Sequence, residues 1–466
     1  MGQQQPQDAV AANGNGGGKR PHAVVIPYPL QGHVIPAVHL ALRLAARGFA
    51  VTFVNTESVH RQITSSGGGH GVGGGDDIFA GAGGGAMIRY ELVSDGFPLG
   101  FDRSRNHDQY MEGVLHVLPA HVDELLRRVV GDGDAAAATC LVADTFFVWP
   151  ATLARKLGVP YPRKDTITYV PGVEAIEPGE LMSYLQDTDT TTVVHRIIFR
   201  AFEEARGADY VVCNTVEELE PSTIAALRRE RPFYAVGPIL PAGFARSAVA
   251  TSMWAESDCS RWLAAQPPRS VLYVSFGSYA HVTRRELHEI ARGVLASGAR
   301  FLWVMRPDIV SSDDPDPLPD GFAAAAAADG RGVVVPWCCQ VEVLAHPAVA
   351  AFLTHCGWNS ILESAWAGVP MLCFPLLTDQ FTNRRLVVRE WRAGVAVGDR
   401  GAVDAGEVRA KIEGVMRGEE GEVLREQVGK MRATLHAAVA PGGSARRGFD
   451  ELVDELKRRC GGGGRH

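Results

Sequence analysis

The sequence predicts an α/β protein: two doubly wound parallel-sheet halves that face each other across a cleft. Three observations carry this. From His22 onward, short apolar runs alternate with segments of helical spacing. The rhythm breaks at a polar stretch after Pro241 and restarts at Ser270. The apolar runs are short and near-continuous, which is how a parallel strand covered on both faces reads.

In order along the chain, MGQQQPQDAVAANGNGGGKR has no apolar core, so residues 1–20 read as a disordered leader and not as a signal peptide. HAVVIPY reads as the first strand and PLQGH as a loop. VIPAVHLALRLAARG has helical spacing and stops at Gly48, and AVTFVNT is the next strand. Ser65–Ala86 is glycine-rich and reads as a surface insertion. Its GAGGGA matches a dinucleotide fingerprint, but MIRYELV after it reads as a strand where that motif needs a helix. CLVAD, ending at Asp144, and ADYVVCNT are further strands, with FFVWPATLARKLG a helix between them.

YAVGPILP and the polar residues after it read as the link between halves. The expected divisions are 21–240 for the first half, 241–257 for the linker, 258–443 for the second half and 444–460 for a final helix. In the second half SVLYVSFGS, RFLWVMR, GVVVPW, AAFLTH and MLCFP are strands, and RRELHEIARGVLASG is a helix.

A formal net charge of −7 without charge blocks argues against nucleic acid or an anionic membrane as the main partner. No run of about 18 apolar residues predicts a transmembrane helix. The eight cysteines form no C-x-x-C pair and mostly sit in apolar runs, as small buried hydrophobes do in a reducing compartment. A cytoplasmic location is the expectation.

The stretch FLTHCGWNSILESAWAGVP carries the most chemistry. Asn359 and Ser360 are N-cap residue types, Ser360-x-x-Glu363 fits a capping box, and Gly368 followed by Pro370 fits a helix stop. A well-capped helix would satisfy all of these. Gly357, however, admits close backbone approach, and a helix N-terminus behind a strand is an anion seat. His355 adds a donor beside it, and the turn at Phe276–Ser278 offers a second anion-binding loop. His355 and Cys356 are adjacent and point apart, so neither a tetrahedral metal site nor a Cys–His nucleophile fits them. Three D-x-D triplets, at Asp132–Asp134, Asp187–Asp189 and Asp314–Asp316, lie in polar loops and receive no role.

From Trp337 to Gln380 the chain resembles the signature box of plant family 1 UDP-glycosyltransferases, at its full 44 residues. HCGWNS, Glu363, GVP and the closing Asp-Gln all stand, and the likeness extends to the early GH loop, CNTVEELEP and YVSFGS. The resemblance implies a GT-B fold and transfer of a hexose, glucose by the closing Gln, from a UDP-sugar to a hydroxyl of a small molecule. A direct displacement that inverts the anomeric carbon is expected, and because the helix amides and His355 would stabilise the leaving diphosphate, no metal or other cofactor is expected. Trp337 would stack on uracil with Gln340 near the ribose, and Glu363 would accept from the ribose hydroxyls. Ser278, His355, Asn359 and Ser360 would hold the diphosphate, and Trp358, Asp379 and Gln380 the sugar. His33 would be the base, oriented by Asp144. Cys339 departs from the family, which usually has proline there.

A second departure follows Gly158. Where the family has a full strand, an aromatic-Trp-Thr segment and a helix, this chain passes from VPY straight to PRKDTITYVPG. The first sheet is therefore expected to lack a strand beside the one ending at Asp144, or to recruit Ile167–Val170 in its place. The alternative to an active enzyme is an impaired deletion variant that only binds the UDP-sugar.

Overall fold

The computed structural model of the protein describes residues 20–66, 77–80, 87–130, 138–144, 146–147, 162–164, 178–186, 192–247, 249, 252–310, 317–399 and 401–461. The first sheet contains β1 (His22–Ile26), β2 (Ala50–Thr56), β3 (Ile88–Val93), β4 (Thr139–Asp144), β5 (Pro162–Lys164), β6 (Tyr210–Cys213) and β7 (Phe233–Ala235). Its order is β3-β2-β1-β4-β5-β6-β7. The second contains β8 (Val271–Ser275), β9 (Arg300–Val304), β10 (Gly332–Val335), β11 (Val349–Thr354), β12 (Met371–Cys373) and β13 (Gly394–Ala396), in the order β10-β9-β8-β11-β12-β13. Every pairing is parallel. Both sheets reverse direction beside their first strand, so each has a crevice at the carboxyl ends of two central strands: β1 and β4 in one, β8 and β11 in the other.

Both faces of each sheet are covered. In β1, Ala23 and Val25 enter one apolar layer while Val24 and Ile26 enter the opposite one. In β8, Leu272 and Val274 face one layer, Val271 and Tyr273 the other. The helix Gln31–Ala46 follows β1 and buries Val34, Val38, Ala41 and Ala45 on one stripe. Gly48, at φ 86°, ends it in the left-handed conformation that glycine tolerates best. The last helix, Ser444–Gly461, returns to the first sheet, where Phe449, Leu452, Val453 and Leu456 complete the layer behind β1.

Three expectations change. The first sheet is continuous across the shortened region. Pro162–Lys164 pairs Arg163 with Ala143 and Lys164 with Asp144 on one side, and Pro162 with Tyr210 and Arg163 with Val211 on the other. Three residues suffice because a ladder needs only backbone groups; Ile167–Val170 lie outside the described residues. Tyr234 belongs to strand β7 and not to a linker, since Val212 pairs with it. The glycine-rich stretch is not all surface: Ile78 and Phe79 are buried, and the Phe79 ring meets Phe53 edge-on at 5.2 Å. Two apolar residues amid glycines were too short a run to signal this. GAGGGA, all but Phe146 and Phe147 of the helix read at FFVWPATLARKLG, the three D-x-D triplets and leader residues 1–19 lie outside the described residues.

Candidate active site

The two crevices open onto one cleft of about 1140 Å³. All twelve residues expected at the site line it. On the first half, His33 stands in the first turn of the helix after β1, and Asp144 ends β4. Because β1 and β4 are neighbours, the two side chains meet, with His33 Nδ1 2.8 Å from Asp144 Oδ2. The other carboxylate oxygen accepts from the Phe146 backbone N–H at 3.1 Å, which fixes the carboxylate. A carboxylate can only accept from a neutral imidazole, so the ring proton belongs on Nδ1 and the lone pair on Nε2. Tyr28 and Phe146 flank the ring with centroids at 5.6 and 5.2 Å. This arrangement can remove a proton from a hydroxyl held in the cleft.

On the second half the anion seat is open. The helix Trp358–Ala367 begins at Gly357, whose extended φ and ψ make it the N-cap, and no side chain caps it. The expected capping box is not formed. Ser360 Oγ and Glu363 Oε2 instead both accept from Gln340 Nε2, at 3.0 and 2.7 Å. The first-turn N–H groups are thus left for a ligand. At the far end Gly368, at φ 77°, stops the helix as read from the sequence.

His355 sits between two glycines, and a Cβ on either Gly277 or Gly357 would collide with its ring. Burial pushes its pKa down to about 4, with the Arg306 cation adding to the effect, so the ring is neutral near pH 7. Arg306 is itself buried. Its guanidinium donates to the carbonyls of Gly277 and Ala280 and to Asp308, and so shapes the turn that carries Ser278. Cys356, at φ 65°, adopts a left-handed conformation unusual for a side-chain-bearing residue, and its carbonyl accepts from Asn383. It is fully buried and packs with Ile361 and Cys373.

Trp337 is buried at the end of β10, facing Trp254 at 6.3 Å. Cys339 has φ −73°, the value a proline would impose, so the departure leaves the local backbone shape intact. Burial pushes the Glu363 carboxyl up to about 7, opposed by the Gln340 hydrogen bond. Tyr273 fixes Gln340 in turn, donating to its Oε1 at 3.2 Å.

The three residues expected at the sugar are differently disposed. Gln380 Oε1 accepts from the Leu376 and Leu377 amides at 2.9 and 3.0 Å, which builds the loop rim. Asp379 is held by Thr378 and Asn383, both at 2.8 Å. Trp358 lines the cleft, but its indole N–H is spent on the Asn214 carbonyl at 2.6 Å, so that donor is not offered to a sugar. Sequence reasoning gives no role to Asn214 or to the aromatic wall of Tyr28, Tyr184 and Tyr279, all of which line the cleft, nor to Arg306, which braces the turn beside it. Asn214 follows the carboxyl end of β6 and belongs to the CNTVEELEP stretch, two signs of its importance. Among the described residues, no group of three or more His, Cys, Asp or Glu is placed to hold a metal ion.

The chain is similar to known proteins in both sequence and fold. The family described as UDP-glucoronosyl and UDP-glucosyl transferase matches residues 215–432. UDP-glycosyltransferase 86A1 of Arabidopsis thaliana is 50% identical over 476 aligned positions, covering 95% of each chain. That alignment holds more positions than this chain has residues, so the relative carries residues with no counterpart here. Indole-3-acetate beta-glucosyltransferase of Zea mays is 35% identical, covering 94% of this chain and 98% of its own. Among solved structures, Os79 from O. sativa in complex with UDP superposes with a TM-score of 0.77 at 27% identity, covering 93% of this chain and 100% of the other.

Proposed function

Because the chain belongs to the plant family 1 UDP-glycosyltransferases and is an enzyme that transfers sugar from a UDP-sugar to a small-molecule acceptor, we propose that the sugar is glucose and that His33 is the base. The observation that carries this reading is the 2.8 Å His33–Asp144 bond, on the rim that faces the uncapped helix. His33 Nε2 takes the proton of the acceptor hydroxyl. The oxygen attacks the anomeric carbon, the bond from that carbon to the diphosphate breaks on the opposite face, and the configuration inverts. Asp144 stabilises the imidazolium that forms.

Charge grows on the departing diphosphate, where first-turn amides of the helix, the Ser278 turn and neutral His355 supply donors. These groups do what a bound cation would otherwise do, so the reaction is proposed to proceed without one. Trp337 would carry the uracil and Glu363 the ribose diol. Asp379 and Gln380 would bound the sugar, in keeping with the glucosyltransferase name of the Zea mays relative. The continuous first sheet supports the active enzyme over the impaired variant. No described helix is long and apolar enough to cross a membrane, and residence in the cytoplasm completes the proposal.

The test is transfer from labelled UDP-glucose to a panel of phenols and alcohols. Product of inverted configuration is expected, at a rate unchanged by EDTA. His33→Ala should lower kcat by about 10²–10⁴-fold. A variant as fast as wild type would remove His33 from the mechanism.

A further inference from the structure

Two asparagine amides join the halves of the molecule beside the site. The Ile239 backbone N–H donates to Asn214 Oδ1 at 2.7 Å. Asn214 Nδ2 donates to Asn359 Oδ1 at 3.2 Å. Asn359 Nδ2 donates to the Gly32 carbonyl at 2.6 Å. Asn214 is buried, and its backbone carbonyl is pinned by the Trp358 indole. A Cβ on Gly237 would lie 2.6 Å from Asn214 Oδ1, so the neighbouring backbone closes in on that atom from a second side.

The direction of this chain is chemically determined. A backbone N–H can only donate and a carbonyl can only accept, so each amide between them has one orientation. Reversing Asn214 would set its NH₂ against the Ile239 N–H. Reversing Asn359 would set its carbonyl oxygen against the Gly32 carbonyl. Asn359 must therefore turn its NH₂ group toward Gly32, the residue before His33. That nitrogen has two hydrogens; one goes to Gly32 and one is left for a ligand.

We propose that Asn214 is a positioning residue. It orients the Asn359 amide so that its N–H, and not its oxygen, meets the anionic donor, and it ties that donor contact to the turn bearing the base. The inference rests on the function proposed above and on Asn359 meeting the diphosphate, as the family resemblance implies. Asn214 acts through the Asn359 amide. A flipped Asn359 would present an acceptor to phosphate oxygens, a repulsive contact where an attractive one is needed.

A double-mutant cycle tests this, using full-length Asn214→Ala, Asn359→Ala and the pair. The readouts are kcat/KM for UDP-glucose and the affinity for UDP by calorimetry. Asn214→Ala should weaken both by about tenfold, leave uridine binding unchanged, and cost less than twofold more when Asn359 is already alanine. Asn214→Ser carries a hydroxyl that is too short to reach Asn359. It should match Asn214→Ala, and it serves if the alanine variant folds poorly. A loss that is equal in both backgrounds would overturn the proposal, because Asn214 would then act on the Ile239 backbone alone. No loss would overturn it too. Wild type that neither binds UDP nor transfers sugar would overturn the functional reading along with it; wild type that transfers sugar while the cycle is additive would overturn this inference alone.

Discussion

Glu363 shows what burying one carboxyl costs the fold. It is buried against Gln340 and Ser360, and burial raises its carboxyl from 4.5 to about 7. The unfolded chain ionises this group near 4.5 while the folded chain still holds the proton. Stability therefore falls as pH rises from about 4.5 to about 7, and stays at the lower level above that. The full cost is about 3 kcal/mol, at roughly 1.4 kcal/mol for each pH unit. Glu363→Gln removes it. The ligand-free variant should be more stable than wild type at pH 8 by up to about 3 kcal/mol in urea unfolding, with the gain vanishing near pH 5. UDP affinity should fall about 10–100-fold, because an amide is a poorer diol acceptor than a carboxylate. A variant that lost stability at pH 8 would mean the carboxylate serves the fold and not a ligand. The residue type and position of Glu363 were legible in the sequence; its protonation was not, since that depends on Gln340, brought close by a different helix.

At the scale of elements, the uncapped helix and the turn after β8 form one device. Sequence reading found both, but it assigned the helix start to Asn359 and Ser360. Those residue types do cap helices when no better partner exists. Here Asn359 is claimed by Asn214 and Gly32, and Ser360 by Gln340, so Gly357 takes the cap and the amides stay open. Such partners are remote in sequence and no local pattern reveals them. The strand rhythm, by contrast, was legible because every strand buried on two faces must be apolar throughout. β5 escaped because three residues leave no periodicity to read. The turn depends on Arg306, whose guanidinium is shared between two carbonyls and Asp308. Arg306→Met should strand the Gly277 and Ala280 carbonyls in a buried site and cost about 3 kcal/mol or more. Thermal unfolding measures that cost, and UDP affinity should fall with it. Equal stability in the variant would show that the turn holds its shape unaided.

At the scale of the whole molecule, the halves are clasped in several places. Ser183 and Thr378 exchange two hydrogen bonds, each of 2.9 Å, and Met253 N–H reaches Gln31 at 3.1 Å. A further tie is the final helix, Ser444–Gly461, which fills the first half's core. Deleting residues 444–466 removes Phe449, Leu452, Val453 and Leu456 from that core. At about 1.5–3 kcal/mol for each buried side chain the loss is roughly 6–12 kcal/mol, comparable to the whole stability of a domain. The truncated chain should be recovered as aggregate, and a soluble, cooperatively melting product would contradict this. The same helix sets an order of assembly. Roughly 200 residues separate β7 from Ser444, and at about 5–20 residues per second a ribosome needs on the order of 10–40 s to supply them. For that interval the half that emerged first waits with an apolar groove uncovered. That groove stays open to solvent until the helix Ser444–Gly461 has left the ribosome.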